Sequence, residues 1–566
     1  MLLLNPRSLM NRYKDSRSAE IMTKTITFFE EKGLARIKED DQSRDWYQDF
    51  LTFVKEERVF ATLLTPEQYG RDDTRWDMWR NEEFNEILGF YGLCYWYTWQ
   101  VSILGLGPIW MSENEKAKKK VADMLDEGGV FAFGLSEKEH GADLYSSSMS
   151  LMAQDDGSFV ANGSKYYIGN GNKAARVAVF GKNKDGAYVW FLANPEHPAY
   201  TCRKIDTSGV RQAYVAEIHL KNYPVPAEDI LSEGEAAWDA ALNTVNVGKY
   251  QLGWASIGIC THAFYEALNH ASKRQLYGKY VTDFPHVKVL FTEAYSRMIA
   301  MKMYGLRSCD YLRTASRDDR RYLLYNPIQK MKVTMEGEAV VELLHQVIAA
   351  KGFEQDTYFE MAIRDIGMLP KLEGTVHVNV ALVTKFMKNY FFAPQEYPKI
   401  GKQDKQENDA FLFDQGPTKG LSKVTFHSYE ESFKDYKSPN LDLFLEQAAA
   451  LKQFLIKGTP NEKQSKNMDY MLQLGELFTL VPYGQLITEN RAHYDVAEEI
   501  MEEIYRNLVK DFSKYAVQFY TGQSHSEVQA ELIQNMIKAP QRDEAQFEEV
   551  WSKHVLPMKE NYLSPR

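Results

Sequence analysis

The sequence predicts a mainly α-helical protein with one inserted β domain. Apolar residues recur at helical spacing from residue 18 to about 127, short apolar runs separated by Gly, Asn, Asp and Pro follow, and helical spacing then returns. This order is uncommon, so it narrows the candidate folds. We predict an N-terminal helical domain, a middle β domain, a C-terminal four-helix domain, and a connection with a helical extension, at 1–128, 129–235, 236–395 and 396–566.

The composition is that of a globular chain with a large core. The 566 residues are 44% hydrophobic and 26% charged, and 13% are aromatic. A formal net charge of −11 argues against nucleic-acid binding through a basic surface, but it permits a local basic cluster for a phosphorylated ligand. The four Cys residues follow no metal-ligand or disulfide spacing, so we expect no metal site and a reducing compartment.

The N-terminal stretch is relevant to localisation. Its three leucines are followed by charges, and this apolar run is too short for a secretory signal. Asp15 and Glu20 argue against a mitochondrial presequence. No run of about 18 apolar residues occurs, so we expect no integral membrane association. We therefore expect a cytoplasmic bacterial protein rather than one of the mitochondrial matrix.

The first helical region contains several distinct segments. The segment "SAEIMTKTITFFEEKGLARIKED" has helical period, and Gly33 is predicted to end its first helix. The stretch "NEEFNEILGFYGLCYWYTWQVSILGLGPIW" is apolar on most faces, as in a buried helix. The segment "ENEKAKKKVADMLDEGG" is typical of a solvated helix that ends at a glycine pair.

The β domain is predicted from short runs bounded by turn residues. Asn162–Gly163 is a hairpin-turn signal, and Gly169 to Gly171 predicts a second tight turn. Tyr166 and Tyr167 are adjacent, so one ring is expected to face inward and the other outward. The predicted strand segments are VFAFGLSE, SFVANGSKYYIGNG, RVAVFGKN, AYVWFLANP, TCRKIDT and QAYVAEIHLKNYPVP.

Long amphipathic segments follow the β domain. They span Val287 to Leu312, Ile328 to Ala350 and Thr375 to Tyr390. A polar connection with Pro and Gly comes next, and its segment "AFLF" is expected to pack rather than to be free. Helical patterning resumes at about Asn440.

Taken one at a time, the candidate functional motifs have ordinary structural interpretations. The segment "FGLSEKEHGADL" is a polar strand-to-loop turn. In "ASKRQLYGKYVTDFPHVK", Lys273, Arg274 and Lys279 either meet a phosphate or answer the dipole at a helix C-terminus. Glu373 stands in the break "DIGMLPKLEGT", where a lone Glu is usually a solvated charge near a helix N-terminus.

Together, and in this order, five motifs resemble those of the acyl-CoA dehydrogenases. The chain has "SEKEHGAD", "NGSKYYIGNG", "RQLYGK", "QVIAAKG" and "RDIGMLPKLEGT", where the family has TEPxxGSD, NGxKxxITNG, RxxFGK, QxxGGxG and RDxxxxxxYEGT. The resemblance covers roughly residues 20 to 395. Five motifs in register make a chance match very improbable.

The resemblance implies a fold and an activity. The fold has an N-terminal helical domain, a middle β domain and a C-terminal four-helix domain, with FAD partly against a neighbouring subunit. The reaction is α,β-dehydrogenation of an acyl-CoA thioester, in which a carboxylate removes the α-proton and a hydride leaves the β-carbon for the flavin. Implied partners are an electron-transferring flavoprotein and a second copy in a homodimer or larger assembly.

The resemblance assigns the base to Glu373, which matches the Glu of YEGT. Its backbone N–H would also donate to the thioester carbonyl, as oxyanion-hole donors do. A free Glu has a pKa of about 4.3, and burial would raise that pKa toward neutrality. The substrate-binding residues implied by the resemblance are Ala142, Lys249, Glu373, Gly374 and Lys385.

The resemblance also implies cofactor-binding residues. Ser136 matches a Thr whose hydroxyl bonds flavin N5, and Tyr167 matches an aromatic residue that lies along the isoalloxazine. The full set is Leu135, Ser136, Gly141, Ala142, Tyr167, Gly169, Arg274, Leu276, Tyr277, Phe284, Gln346, Gly352, Thr375 and His377.

Several positions depart from the family pattern. Ala142 replaces a Ser, Gly169 replaces a flavin-bonding Thr, and Leu372 replaces a Tyr beside the base. The pair Ala349–Ala350 replaces two glycines, and Pro285 stands where Gln is common. None of these changes removes chemistry, but together they make the chain a divergent member.

The position of the base and the role of the extension complete the hypothesis. Some relatives carry the base on an earlier helix, but Gly248 occupies that position here and leaves Glu373 as the candidate. The extension lacks a Lys-rich amphipathic face, so we expect an intramolecular or dimer-stabilising role. Rival hypotheses are a monooxygenase-like or nitroalkane-oxidase-like flavoenzyme, disfavoured by "LEGT", and a non-catalytic flavin- or nucleic-acid-binding relative, disfavoured by the acidic charge.

Overall fold

The protein is described by a computed structural model that covers residues 2–8, 13, 15–71 and 73–565. Part of the N-terminal stretch considered above for targeting lies outside these residues. The chain forms two compact units, which we call the sheet unit and the helical unit. The sheet unit comprises Leu9–Gln251, Asp404–Lys419 and Pro565–Arg566, and the helical unit comprises Met1–Ser8, Leu252–Gln403 and Gly420–Ser564.

The described residues at the start of the sheet unit are mainly helical, as the apolar periodicity predicts. The stretch predicted as one buried helix is two helices, because the helical backbone is interrupted at Gly92. The predicted stop at Gly33 is confirmed, because its non-helical φ of 70° and ψ of 157° separate two helical segments within Ser16–Ser43. Asp77 caps the fourth helix by accepting from the backbone N–H groups of Trp79 and Arg80. The helices are α1 Ser16–Ser43, α2 Gln48–Glu56, α3 Val59–Leu64, α4 Met78–Tyr91, α5 Leu93–Trp110 and α6 Glu115–Asp126.

The eight strands of the sheet unit form one mixed sheet. They are β1 Phe131–Gly134, β2 Ser150–Ala153, β3 Phe159–Gly169, β4 Arg176–Asn183, β5 Tyr188–Ala193, β6 Tyr200–Lys204, β7 Val215–Val225 and β8 Ile230–Glu233. The strand order is β6-β7-β3-β2-β4-β5-β8, and β1 pairs in parallel with β4. Helix α5 packs on β1, where Gly105 brings the helix close to the backbone of Ala132.

Two details of the predicted β domain are wrong. Asn162 and Gly163 are not a hairpin turn, because both lie inside β3, at a register shift against β7. Gly163 has φ 146° and lies close to the Cα of Met149, so a glycine is needed there for a bulge. The short strands β2 and β8 were absent from the predicted segments. The turn predicted from Gly169 to Gly171 is present, since β3 ends at Gly169.

The helical unit begins inside the long helix α7. The segment from Thr375 to Tyr390, predicted as one helix, forms two helices. The helical backbone is interrupted at Lys385 and Phe386. The elements up to this point are α7 Gly234–Lys273, β9 Gln275–Leu276, β10 Lys279–Tyr280, α8 Pro285–Arg313, α9 Tyr322–Ile348, α10 Tyr358–Ile366, α11 Val376–Thr384 and α12 Met387–Phe392.

The C-terminal region is helical, as its sequence pattern predicts. The predicted packing of "AFLF" is confirmed within the sheet unit, where Ala410–Phe413 forms a 3₁₀ turn and Leu412 is buried. The helices are α13 Pro439–Lys457, α14 Glu462–Lys466, α15 Met468–Tyr494, α16 Glu498–Gly522, α17 Glu527–Gln534 and α18 Glu544–Glu549. None of the helices described for this chain is long and apolar enough to cross a membrane.

The C-terminal helices are integrated into the core of the helical unit. Arg297 of α8 forms ion pairs with Glu336 of α9 at 2.7 Å and with Asp511 of α16 at 3.0 Å. Gly475 of α15 lies against α11, and a Cβ there would stand 2.5 Å from the side chain of Thr384. Glycine therefore permits α15 to approach α11, the helix that follows the Glu373 loop, as closely as it does.

Candidate active site

In the sheet unit, the loop after β1 carries the first predicted residues. The hydroxyl of Ser136 donates to the carbonyl of Tyr166 at 2.7 Å, and the N–H of Tyr166 donates to the carbonyl of Ser136 at 2.9 Å. The two segments predicted to bind a cofactor are therefore joined by a pair of hydrogen bonds. In this arrangement the Ser136 hydroxyl directs its proton at Tyr166, and its bond to flavin stays a prediction.

A buried ion pair between Lys165 and Glu137 supports the loop after β1. Lys165 is fully buried, and its Nζ donates to the carbonyl of Leu135 at 2.9 Å and to Glu137 at 2.8 Å. The Glu137 carboxylate also accepts from the hydroxyls of Ser147 and Ser148. Burial raises the pKa of Glu137, but Lys165 and the Ser148 hydrogen bonds more than offset it and lower this pKa to about 2. Burial lowers the pKa of Lys165 to about 8, so the pair is charged at neutral pH.

Tyr167 presents an exposed ring near the end of β3, an interior strand of the sheet. Its backbone has φ 62°, and the pairing of β3 with β7 shifts register between Lys165 and Ile168. Tyr167 is 64% exposed, whereas Tyr166 is half-buried. The outward direction of the Tyr167 ring is therefore explained by this bulge. The regular alternation of side chains along a strand, on which the prediction was based, does not explain this direction.

The departure at Gly169 has a packing explanation within the sheet unit. A Cβ at Gly169 would lie 2.6 Å from Val101 and 2.7 Å from the ring of Tyr97. Both neighbours belong to α5, so this helix occupies the space that a Thr side chain would need. Gly141 and Ala142 are exposed in the loop after β1, and no atom lies within 4 Å of a Cβ built at Gly141.

The alternative base position is closely packed. The carbonyl of Gly248 accepts from the side-chain amide of Gln100 at 2.9 Å. A Cβ at Gly248 would lie 2.3 Å from the side chain of Leu104, so there is no room for a larger residue without repacking. Lys249, the predicted substrate-binding residue next to it, is buried.

In the helical unit, a short hairpin projects between α7 and α8. Tyr277 and Gly278 have φ 52° and 76°, the two left-handed positions of a type I′ turn between β9 and β10. Tyr277 is 96% exposed, Arg274 and Leu276 are also exposed, and Phe284 is half-buried. Three of the four predicted residues of this segment, Arg274, Leu276 and Tyr277, are therefore exposed at the hairpin, and Phe284 lies at the start of α8.

The end of α9 lies near this hairpin. Burial lowers the pKa of His270, and the positive charges of Arg274 and Lys351 lower it further. Two basic groups from different segments therefore act on one half-buried imidazole. Gln346 is exposed on the last turn of α9, and Gly352 is buried in the 3₁₀ turn that follows.

Ala349 has an unfavourable backbone conformation. Its φ is 58° and its ψ is −143°, close to a region that is essentially reserved for glycine. This is the first residue of the pair that replaces two glycines of the family motif. The turn is therefore kept in a conformation suited to glycine, although the side chain differs.

Glu373 lies in a strained loop between α10 and α11. Its φ is 52° and that of Gly374 is 81°, so two successive residues are left-handed. The Glu373 side chain is half-buried. Thr375 caps α11 by accepting from the N–H of Val378, and His377 is exposed on its first turn. Glu373 therefore stands immediately before a helix N-terminus, where a carboxylate is favoured.

The structure groups the predicted residues within each unit. Glu373, Gly374, Thr375 and His377 form one loop and helix start, whereas Lys385 is exposed beyond the end of α11. Sequence reasoning missed the lysines that hold the two loops, Lys165 in the sheet unit and Lys330 in the helical unit. The sequence carries no signal that singles them out, because a lysine is ordinarily expected at the surface.

Two family models match the chain in its central part. The acyl-CoA dehydrogenase middle domain matches residues 132–223, and the acyl-CoA dehydrogenase C-terminal domain matches residues 237–388. The first region holds the sheet with Ser136 and Tyr167. The second holds α7 to α11 with Arg274, Gln346 and Glu373.

Characterised sequences and solved structures agree with these matches. The short-chain-specific acyl-CoA dehydrogenase of Megasphaera elsdenii is 25% identical over 48% of this chain and 72% of its own length. The mitochondrial very long-chain-specific acyl-CoA dehydrogenase of Rattus norvegicus is 24% identical over 65% of this chain and 57% of its own length.

Among solved structures, the FAD complex of an acyl-CoA dehydrogenase from Bacillus anthracis covers 100% of this chain and 97% of its own, with a TM-score of 0.74 and 16% identity. Butyryl-CoA dehydrogenase from Megasphaera elsdenii covers 66% of this chain and 98% of its own, with a TM-score of 0.58 and 22% identity. The first likeness includes the C-terminal helices, and both concern the fold. With two family models in order along the chain and relatives that carry the same name, the chain belongs to the acyl-CoA dehydrogenase family.

Proposed function

We propose that this protein is an FAD-dependent acyl-CoA dehydrogenase in which Glu373 is the catalytic base. As a member of its family it is an FAD-dependent oxidoreductase. The proposed reaction converts an acyl-CoA to the trans-2-enoyl-CoA and places the enzyme in fatty-acid β-oxidation. The rival flavoenzymes on the same fold usually lack a Glu at the position of Glu373, so the LEGT motif disfavours them.

The observation that carries the proposal is the setting of Glu373. It stands in a left-handed loop at the start of α11, within the region that matches the family's C-terminal domain. The position that bears the base in some relatives is Gly248, which has no side chain and is packed against Leu104. Glu373 is thus the carboxylate that both the motif and the local packing favour.

The chemistry required of Glu373 is removal of the α-proton of the thioester. The carboxylate takes this proton, and the backbone N–H of Glu373 donates to the thioester carbonyl, where negative charge develops. Gly374 has no Cβ, so the backbone next to the base leaves space for the acyl group. Bound FAD supplies the acceptor for the hydride that leaves the β-carbon.

The residues of each unit fit this cofactor. The sheet unit offers the Ser136 hydroxyl and the exposed Tyr167 ring, a suitable surface for a flat ring system. The helical unit offers the positive charges of Arg274 and Lys351 near the end of α9, which suit a pyrophosphate. Gly169 contributes no hydroxyl, so one flavin contact of the family is missing.

The exposed hairpin supports a homodimer. Tyr277 at 96% exposure, with Leu276 and Tyr280 also exposed, is an apolar projection that a second copy would cover. An electron-transferring flavoprotein is the proposed acceptor of the electrons, and the proposed compartment is the bacterial cytoplasm. The dimer and the electron acceptor follow from the family resemblance, whereas the compartment rests on the four Cys residues, whose spacing indicates a reducing environment.

Anaerobic bleaching of the bound flavin tests the proposed activity. Purified protein with FAD is mixed with a panel of acyl-CoAs of different length and branching, and the flavin absorbance is followed. We expect at least one acyl-CoA to bleach the flavin and to yield the enoyl-CoA. If no member of the panel does so, while nitroalkanes oxidise or oxygen is incorporated, the proposed reaction is wrong.

Replacement of the carboxylate tests the assigned base. Glu373→Gln keeps the size of the side chain and removes its basicity, so bleaching should slow by about 10²–10⁴-fold, the usual contribution of a general base. FAD content and the dissociation constant of the acyl-CoA should change little. Bleaching at the wild-type rate would show that the base lies elsewhere.

A further inference from the structure

Lys330 is a fully buried lysine that contacts the backbone of the Glu373 loop. It lies on α9, and its Nζ donates to the carbonyl of Pro370 at 2.6 Å and to the carbonyl of Gly374 at 2.5 Å. These two carbonyls lie on either side of Glu373 in the sequence. One ammonium group thus holds both ends of a five-residue segment at the same point.

The loop needs such a restraint because its backbone is unfavourable. Glu373 is a non-glycine residue with φ 52°, followed by Gly374 with φ 81°. A left-handed conformation at a non-glycine residue persists only where surrounding contacts impose it. Asn379 of α11 adds to the restraint, because its side-chain amide donates to the carbonyls of Gly374 and Thr375 at 3.1 and 3.0 Å.

A lysine suits this task better than an apolar residue. Burial of an ammonium group is costly, so a fully buried lysine needs polar partners. Carbonyl oxygens are such partners, and hydrogen bonds from a charged donor are shorter and stronger than neutral ones. The three N–H donors on a flexible stem reach two carbonyls that belong to different peptide planes.

We propose that Lys330 is the positioning residue of the active-site loop. By fixing the carbonyls of Pro370 and Gly374, it fixes the left-handed backbone of Glu373 and with it the direction of the carboxylate. This inference rests on the proposed role of Glu373 as the base. Lys330 itself takes no part in proton transfer.

The main test compares two lysines of the same region. Lys330→Met removes the ammonium group and keeps a long unbranched side chain. Lys371→Met is the matched control, because Lys371 lies in the same loop but is exposed and bonds Gly367 and Glu338. Both variants are studied with bound FAD, and their thermal unfolding and FAD content are measured first.

Hydrogen exchange and rapid kinetics are then the two readouts. In Lys330→Met, the amides of the loop should exchange about tenfold faster or more, since bonds to a charged donor are lost. The limiting rate of flavin reduction by an acyl-CoA that bleaches the wild type should fall about 10²-fold, as expected for a displaced catalytic group. The half-saturating acyl-CoA concentration should change less than this rate, because the N–H of Glu373 is proposed to act mainly where negative charge develops on the thioester carbonyl.

A second variant covers the case in which Lys330→Met does not fold. Asn379→Asp keeps the volume and replaces the amide donors by acceptors that face the carbonyls of Gly374 and Thr375. It should slow flavin reduction by about tenfold, again with little change in half-saturation. A wild-type rate in folded, FAD-loaded Lys330→Met, or in Asn379→Asp if the first variant is unfolded, overturns the proposal.

The two hypotheses fail in different ways. If the wild type is not bleached by any acyl-CoA, the proposed function fails and the catalytic part of this inference fails with it. Exchange of the loop amides still tests the structural part, because it needs no substrate. Unchanged exchange in Lys330→Met overturns the inference even when the wild type is an active dehydrogenase.

Discussion

Two loops that carry predicted active-site residues are held by fully buried lysines, in different ways. In the sheet unit, Lys165 bonds the Leu135 carbonyl and pairs with Glu137, which is itself bonded by two serines. In the helical unit, Lys330 bonds two carbonyls that flank Glu373. The first loop depends on a neutralised charge pair, and the second on a direct restraint of the backbone beside Glu373.

This difference predicts that changes in the first loop lower the folding stability, whereas changes in the second lower the catalytic rate. Removal of one member of a buried ion pair leaves the other uncompensated, which is costly for folding. Release of the two carbonyls on either side of Glu373 costs less for folding but frees the Glu373 side chain to move. We therefore expect Lys165 variants to lose stability and Lys330 variants to lose rate.

The largest expected effect is that of Lys165→Met. It leaves Glu137 buried without its counter-ion, and the free energy of unfolding should fall by about 3–5 kcal/mol. Chemical denaturation of the FAD-loaded protein measures this change. Lys330→Met, of the same size and chemistry, is the matched comparison and should cost less. Equal losses in the two variants would remove the distinction between the loops.

The second-largest expected effect is a loss of folding stability in acid, which acts through the Glu137 carboxylate of the first loop. The pKa of Glu137 is lowered to about 2 in the folded protein, from an ordinary value of 4.5. A lowered carboxylate pKa stabilises the fold above the unfolded-state value, and this stability is lost as pH falls from about 4.5 to about 2. At about 1.4 kcal/mol per pH unit, the loss amounts to about 3 kcal/mol.

Denaturation at a series of pH values measures this loss, with Glu137→Gln as the reference. The variant has no titrating group at this position, so its stability should change less over the same interval. The carbonyl partners of Lys330 do not titrate, and hydrogen exchange at the Glu373 loop should not follow the Glu137 titration. Parallel acid curves for wild type and Glu137→Gln would contradict the assignment.

A smaller effect is expected from restoring a family residue in the sheet unit. Gly169→Thr places a branched side chain against Tyr97 and Val101, and overpacking of this kind typically costs about 1–3 kcal/mol. Thermal unfolding of the variant measures the cost. Gly169→Thr combined with Val101→Ala should recover part of it, because the smaller neighbour makes space. If Gly169→Thr is as stable as the wild type and binds FAD more tightly, α5 can move to accommodate the larger side chain, and the packing explanation is wrong.

The smallest expected effect concerns a strained turn in the helical unit. Ala349 has φ 58° and ψ −143°, and glycine adopts such a conformation with less strain. Ala349→Gly should therefore raise the free energy of unfolding by about 1 kcal/mol, after allowance for the greater freedom of glycine in the unfolded chain. Ala350→Gly, at the neighbouring residue, is the control and should not stabilise. Destabilisation by Ala349→Gly would argue against strain at this turn.

The arrangement of helices and strands was predictable because it depends on local patterns. The change from helical period to short strands near residue 130 is visible in the sequence, and the break that contains Glu373 was placed correctly. Asn162–Gly163 misled for a physical reason, since its turn preference is local whereas β3 gains its hydrogen bonds from β7, which is distant in the chain.

The supports of the candidate site were not predictable in the same way. A lysine in a sequence is expected at the surface, and only tertiary packing buries Lys165 and Lys330. The departure at Gly169 likewise depends on Tyr97, which lies on a helix far away in sequence. Motif comparison found the residues that would meet ligands, but the residues that hold them in place required the structure.

The close packing of α15 on α11 has a consequence for how the chain is made. Gly475 brings the two helices together, yet about 100 residues separate it from the Glu373 loop. During synthesis on the ribosome, the helix that follows the Glu373 loop is therefore complete long before its packing partner emerges. Proteins shortened before α15 should expose the apolar side of α11 and associate with chaperones, so the C-terminal helices are not a removable addition.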